Sequence, residues 1–366
     1  MKKISIYTKS GERAATTYYR IYQYIRNING SYRYRKMLPD KMYRRVMPIS
    51  SQNIFKKAYI FFYIIVRVFS QLCKDYTDRP DILIISRRFV NRILPVPYKW
   101  ILNSLKNKGT KIIWDFDDQI IVSKEISKKG FNYMSALSDT IFVASPVNID
   151  MIEQKYKDKA ILLPTTDGDM YNLLTESIIN ERLSVLDEEI RLIWVGTSVS
   201  LKYVEAICPY LDHFATTMKS QYNKKVILTI VCNQSLNVSG LKHLCLRNIL
   251  WERDVAISEM LKSHIGLMPL EKNNFNNGKG GFKLIQYLSV GLPIVGSPVG
   301  INKSIISNDV GVQVFQLNSN NWSEALENIC INKDRWKFLS CSAKTKWQNE
   351  YNYNNNLKVW ANELES

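Results

Sequence analysis

Short apolar runs separated by polar, turn-forming stretches recur along the whole chain. Ile4-Ser5-Ile6-Tyr7 reads as a first strand, followed by a loop containing Gly11 and a helix-like stretch from Thr16 to Ile28. Further runs lie at Ile82 to Ile85, Ile112 to Trp114, Thr140 to Ala144 and Ala160 to Leu163, with helix-like segments such as Tyr98 to Lys106 between them. That alternation predicts a parallel sheet with crossover helices. From Pro164 to about Glu189 the chain turns polar and irregular, as a linker does. The pattern then restarts, with strands expected at Leu192 to Gly196, Lys225 to Cys232, Asn248 to Leu250, Ile265 to Met268, Ile294 to Gly296 and Val312 to Phe315. The stretch Ser340 to Leu364 is helix-prone. The expectation is an α/β protein of two doubly wound domains, 1–170 and 190–340, joined by a linker at 171–189. A closing helix within 341–366 is expected to pack back on the first domain.

Length agrees with two cores, since 366 residues at 46% hydrophobic content exceed one ordinary domain. The six cysteines form no CxxC pair and mostly sit in apolar runs, so they read as buried reduced thiols, not as a disulfide framework or a zinc site. The N-terminus passes from two lysines into a strand without the apolar core of a signal peptide, which places the expected site of action in the cytoplasm.

Charge changes the picture more. The net charge is +17, yet residues 1–110 hold 23 Lys/Arg against 5 Asp/Glu, leaving 27 against 28 for the remainder. Such asymmetry points to an anionic partner, nucleic acid or an acidic membrane leaflet, with a solubilising surface as the plain alternative. No nucleic-acid-binding module is recognisable, so nucleic acid is not expected. Tyr32 to Lys74 interleaves RYRK, KMYRR and KK with the apolar run Ala58 to Phe69. That run is too short to span a bilayer, which takes about 20 residues. It suits either an interfacial helix that docks a lipid-linked substrate or a core helix with basic flanks.

The densest chemistry lies in Gly278 to Gly300, GKGGFKLIQYLSVGLPIVGSPVG. Gly280 and Gly281 allow close backbone approach to a ligand, and Phe282 to Val290 reads as a helix ending at Gly291. A glycine loop entering a helix offers unpaired N–H groups and a positive dipole end, a setting for a diphosphate. Lys279 and Lys283 add charge there, and Gln286 shares the helix face of Lys283. Asp115, Asp117 and Asp118 follow the strand ending at Trp114, where mutual repulsion would raise at least one carboxyl pKa; a charged turn capping the next helix is the simpler alternative. His213, His243 and His264 lack metal-ligand spacing, and His264 reads as a packed strand-edge residue.

This segment resembles the nucleotide-sugar signature of the retaining GT-B glycosyltransferases, the group 1, family 4-like enzymes of capsule, O-antigen, lipopolysaccharide and cell-wall biosynthesis. Trp194-Val195-Gly196-Thr197-Ser198 with Lys202-Tyr203, the strand end Leu267-Met268-Pro269-Leu270, and Arg20-Ile21-Tyr22-Gln23-Tyr24 are similar to further family segments. The resemblance implies two Rossmann-like domains facing a central cleft, the first binding the acceptor and the second the nucleotide-sugar. It implies donor contacts at Gly196, Thr197, Ser198, Lys202, Glu271, Gly278, Lys279, Gly280, Gly281, Phe282 and Gln286, and catalytic roles for Asp115, Asp117, Asp118 and Lys283. Gly11 and Arg13 fall where the family faces the donor diphosphate from the acceptor side. The family often carries two glutamates at the spacing of Gly278 and Gln286, so this chain departs from the pattern at both, and Glu271 offers a carboxylate from another direction. No cofactor and no catalytic metal are expected; the nucleotide-diphosphate sugar is a substrate. The expected partners are that sugar, a glycan or lipid-linked acceptor, and the anionic inner face of the cell membrane. A noncatalytic nucleotide-sugar-binding subunit and a nucleotide-sugar 2-epimerase are the alternatives on the same scaffold.

Overall fold

The computed structural model describes residues 1–12, 14–46, 49 and 52–365. They form two compact units: unit 1 comprises Met1–Thr165, Gly278–Gly280 and Asn354–Ser366, and unit 2 comprises Thr166–Asn277 and Gly281–Tyr353. Each is an α/β unit on a six-stranded parallel sheet.

In unit 1 the strands are β1 (Lys3–Thr8), β2 (Ser31–Lys36), β3 (Ile82–Ser86), β4 (Lys111–Phe116), β5 (Thr140–Val143) and β6 (Ala160–Leu162), in the order β2-β1-β3-β4-β5-β6. Every residue of β3 is buried, as expected where helices cover both faces. The hydrophobic pattern does not reveal β2, because this edge strand reads Ser-Tyr-Arg-Tyr-Arg-Lys and buries none of its residues fully. Ion pairs hold it instead: Arg35 lies 2.5 Å from Asp75 and Arg33 2.5 Å from Asp78. The first helical stretch, α1 (15–25), ends before the expected Ile28, and its middle, Tyr18–Tyr22, is π-helical.

The basic, apolar segment forms one helix, α2 (Ile54–Thr77), capped by Asn53, whose side chain accepts from the Lys56 N–H. Ile60, Val68 and Leu72 are buried, and Asp75 accepts hydrogen bonds from Ser5 Oγ at 2.9 Å and Tyr7 Oη at 2.7 Å. The core reading of the apolar run holds for one face only. The inner stripe is core, while Phe55, Tyr59, Phe62, Val66 and Phe69 are exposed.

Unit 2 contains β7 (Glu189–Val195), β8 (Lys225–Cys232), β9 (Leu244–Leu250), β10 (Ile265–Met268), β11 (Ile294–Gly296) and β12 (Gly311–Gln313), ordered β12-β11-β10-β7-β8-β9. Its first strand is central and the order reverses between β7 and β10, the dinucleotide-fold arrangement. Helix α3 (Glu176–Val185) occupies the stretch expected to be irregular. A buried arginine fixes it more than an apolar stripe does: Arg182 donates to the carbonyls of Met260, Leu261 and Val290. Helix α4 (Leu201–Tyr222) covers the sheet, and α5 (Phe282–Ser289) follows the glycine loop.

The expected single C-terminal helix is two, α6 (Lys333–Glu350) and α7 (Tyr353–Glu365). Trp336 and Trp347 bury α6 in unit 2. In unit 1, Trp360 is fully buried with its ring 4.6 Å from Phe142, and Asn356 donates to the Pro164 carbonyl. Cys208, Cys232 and Cys330 are buried as the pattern predicts, but Cys245 and Cys341 are exposed. Cys245 lies on the sheet-edge strand β9, which the core does not cover on both sides.

Candidate active site

The switch point of unit 2 lies between β7 and β10, and open α/β sheets bind ligands beyond the carboxyl ends of such strands. Gly196, Thr197 and Ser198 follow β7 directly. The Ser198 N–H donates to Asn233 Oδ1 at 2.9 Å, which fixes the loop, and Lys202 stands exposed in the first turn of α4. Glu271 follows β10 with an exposed side chain, and its carbonyl accepts from Asn276 Nδ2 at 2.8 Å.

Helix α5 is aimed by its own core face. Leu284, Ile285 and Leu288 are fully buried, and Tyr287 Oη accepts the Val195 N–H at 3.1 Å, tying α5 to the end of β7. Gly281 caps the helix at φ 66°, and a Cβ there would meet Ile305 Cδ1 at 2.4 Å, so both conformation and space demand glycine. Phe282 and Lys283 occupy the first turn, half-buried. Burial raises the Cys232 thiol at the end of β8, and the charge of Lys283 is among the influences opposing this.

Gln286 is buried and its amide donates to Asp167 Oδ2 at 2.8 Å, while Asp167 Oδ1 accepts from the Asp169 N–H at 3.0 Å. Burial lifts the Asp167 carboxyl to about 6, Asp169 adds to the rise, and the Gln286 bond opposes it. The Asp167 carboxyl thus stands beside Gln286, delivered from the segment before α3. Sequence reading missed Asp167; its only local signal is the turn Asp167-Gly168-Asp169.

In unit 1 the three sequence-predicted aspartates have different surroundings. Asp115 is completely buried at the end of β4 and accepts from Arg20 Nε at 3.0 Å and Nη2 at 2.5 Å. Arg20, in the π-helical turn, also donates to the Leu163 carbonyl and to Thr165. Asp117 and Asp118 both face Arg87, at 3.5 Å and 2.7 Å. Burial raises the carboxyls of Asp115 and Asp118, with the neighbouring Asp117 charge contributing at both; desolvation, more than the expected mutual repulsion, is the main cause. Neither Arg20 nor Arg87 was singled out as a site residue from sequence.

The segment Gly278–Gly280 packs within unit 1. A Cβ at Gly278 would come 1.8 Å from the Gln119 side chain, so a glutamate could not stand at this position without rearrangement. A Cβ at Gly280 would meet Ala144 at 2.9 Å. Burial lowers the Lys279 ammonium, and Asp118 pulls it back up. Gly11 is not open to a ligand through its N–H, which donates to Asp40 Oδ1 at 2.8 Å. Arg13 lies outside the described residues. Among the described residues no cluster of three or more His, Cys, Asp or Glu is placed to hold a metal ion.

The basic excess divides in two. Arg33, Arg35 and Lys36 are bound to Asp78, Asp75 and Asp40. Lys41, Arg44 and Arg45 are exposed on the helix Asp40–Val46, which packs against α2 through Met42, Tyr43, Val46 and Ile60. Among the described residues no helix is long and apolar enough to cross a membrane.

No protein-family model matches the chain, and no curated protein sequence does. Solved structures match it over its full length. HepE of Anabaena, crystallised with UDP and glucose, is 10% identical with 100% of both chains covered and a TM-score of 0.66. Sucrose-phosphate synthase of Thermosynechococcus elongatus is 10% identical, with 100% of this chain and 98% of that one covered and a TM-score of 0.69. A glycosyltransferase of Rickettsia africae is 13% identical over 100% and 99%, with a TM-score of 0.63. Two parallel-sheet units of this connectivity, matched end to end by such structures, give this chain the GT-B fold.

Proposed function

We propose that this protein is a glycosyltransferase that moves a sugar from a nucleoside-diphosphate sugar to a glycan or lipid-linked acceptor. The observation that carries the reading is the end of the unit 2 sheet, where α5, capped by a left-handed Gly281 and tied to β7 through Tyr287, brings Lys283 and its first-turn N–H groups to the switch point. That arrangement suits a diphosphate, and HepE, of the same fold, was crystallised with UDP, which supports the reading. Lys202 and Lys283 and the loop N–H groups of unit 2 would stabilise the departing diphosphate by fixed positive charge, replacing a metal. Asp167 and Gln286 would receive the ribose. Asp117 and Asp118 would face the acceptor, with Asp115 and Arg20 positioning their loop.

Retention of anomeric configuration is proposed from the family resemblance. The setting proposed is surface polysaccharide assembly, of the capsule or O-antigen kind, at the cytoplasmic face of the membrane. The exposed apolar stripe of α2 and the neighbouring Lys41, Arg44 and Arg45 support peripheral attachment there. A thermal-shift screen of UDP-, GDP- and ADP-sugars in excess chelator tests the donor site. A ligand at 100 times its Kd should stabilise by about 2.7 kcal/mol. A shift seen only with divalent metal refutes metal independence, and no shift with any nucleotide refutes the function. Consumption of the sugar nucleotide without any acceptor would reassign the chemistry to epimerisation or hydrolysis.

A further inference from the structure

We propose that the cavity at the switch point of unit 1 binds the phosphate or diphosphate group of a phosphorylated acceptor. The proposal rests on the transferase reading and names the chemical class of its second substrate. In unit 1 the strand order reverses at β1, with β2 on one side and β3 to β6 on the other, so a crevice opens beyond the ends of β1 and β3. A cavity of about 760 Å³ lies there, lined by Lys9 after β1, by Ser86 at the end of β3 with Arg87 to Phe89 after it, and by Lys57 and Ile64 of α2.

Its charge is one-sided. Lys9, Lys57, Arg87, Arg88 and Arg92 line it against a single carboxylate, Glu125. Arg87 and Arg88 both pair with Glu125, and Arg87 is bound further by Asp117 and Asp118. Among the described residues Lys9, Lys57 and Arg92 have no carboxylate partner; the Lys9 ammonium sits 5.8 Å from the Tyr43 ring. Burial, and then the charges of Arg88 and Arg87, press Lys9 down to about 8. Lys57 and Arg92 are exposed at the rim, so the desolvation cost falls on half-buried Lys9, whose charge lies among like charges without a matching anion unless a ligand supplies one. A phosphate ester or diphosphate supplies two or more negative charges and several acceptor oxygens, which a single carboxylate does not.

The backbone adds a second sign. Arg87 at φ 60° and Arg92 at φ 67° are left-handed non-glycine residues that bracket the loop after β3, a strain proteins retain mostly at working sites. The opposite wall is apolar, made by Met37, Leu38 and Ile64, and Ile64 belongs to the helix that carries the exposed stripe.

The test uses the full-length protein with saturating UDP present, and titrates farnesyl diphosphate, farnesol and inorganic pyrophosphate by calorimetry. Farnesyl diphosphate should bind at least about tenfold more tightly than farnesol, and Lys9→Met or Arg92→Asn should each weaken it by about tenfold while leaving farnesol and UDP binding unchanged. Arg92 is exposed and asparagine tolerates its backbone angle, so Arg92→Asn keeps the test valid if Lys9→Met fails to fold. Pyrophosphate binding more than about tenfold weaker than farnesyl diphosphate assigns a lipid-linked acceptor, and equal binding assigns a soluble phosphorylated one. Equal affinity for farnesyl diphosphate and farnesol, or no effect of either variant, overturns the site. Failure of UDP to bind would instead refute the donor reading, because the farnesyl comparison is read independently.

Discussion

Helices α2 and α4 are nearly equal in length, 24 and 22 residues, and each lays a buried stripe on its own parallel sheet. Their outer faces differ. The exposed positions of α4 include Lys202, Glu205, His213 and Lys219. Those of α2 include Phe55, Tyr59, Phe62, Val66 and Phe69, between 41% and 84% exposed and spaced to fall on one side of the helix. Packing against the sheet dictates only the inner stripe, so α4 shows what an outer face looks like when water is its partner. The apolar outer stripe of α2 has no such explanation within the fold, and exposed stripes of this kind mark interaction surfaces. Lys41, Arg44 and Arg45 are exposed on the adjoining helix, and this pairing of apolar and basic surface supports the membrane attachment proposed above.

If the two units divide the work this way, unit 2 variants should change chemistry and α2 variants should change location. The largest effect is expected from Lys283→Ala, which should lower turnover by about 100-fold on soluble and membrane acceptors alike. Initial-rate assays with both acceptors check this, and wild-type rates would remove Lys283 from the site. Next, Phe55→Ser with Phe62→Ser should reduce cosedimentation with anionic vesicles by about tenfold or more and leave soluble-acceptor turnover intact. Arg44→Gln with Arg45→Gln should weaken vesicle binding mainly at low salt, since the screening length at 0.1 M is about 10 Å. Equal binding of wild type to neutral and anionic vesicles at low salt would break the comparison.

The smallest effect separates the units by stability. All three histidines lie in unit 2, and His264 is fully buried, its Nδ1 accepting the Arg191 N–H and its Nε2 bonded to the Arg182 carbonyl. Burial presses its pKa down to about 3. A depressed folded-state pKa contributes stability that is whole above the unfolded value of about 6.5 and is lost as pH falls towards 3. The difference in urea-unfolding free energy between wild type and His264→Gln should therefore shrink by about 1 kcal/mol between pH 7.5 and 5.5. A difference that stays constant with pH contradicts the neutral buried imidazole.

Much of the fold was legible because buried parallel strands carry continuous apolar runs, as β3 does throughout and β7 does from Leu192 to Val195. Strand β2 was not, since arginines paired to Asp75 and Asp78 take the place of apolar burial. The same pairing explains why the basic third misleads when read as a uniform patch: half of its cluster is internal structure. On the donor side the glycine loop and Lys283 were visible as a local motif, whereas Asp167 was not, because its meeting with Gln286 is made 119 residues away in the chain. The roles of Arg20 and Arg87 were hidden for a like reason. Each acquires its carboxylate partners only when sheet order sets β1, β3 and β4 side by side.

The central claim is sugar transfer from a nucleoside-diphosphate sugar, and the most direct test is a single incubation read by two detectors. Purified protein, a donor chosen by thermal shift and a membrane-lipid extract carrying phosphorylated acceptors are combined, and nucleoside diphosphate release is followed alongside the acceptor's mass. The account predicts release matched one to one by acceptors heavier by one glycosyl residue, both abolished or strongly reduced in Lys283→Ala. Diphosphate release with no acceptor gaining mass, or equal release by Lys283→Ala, would contradict it.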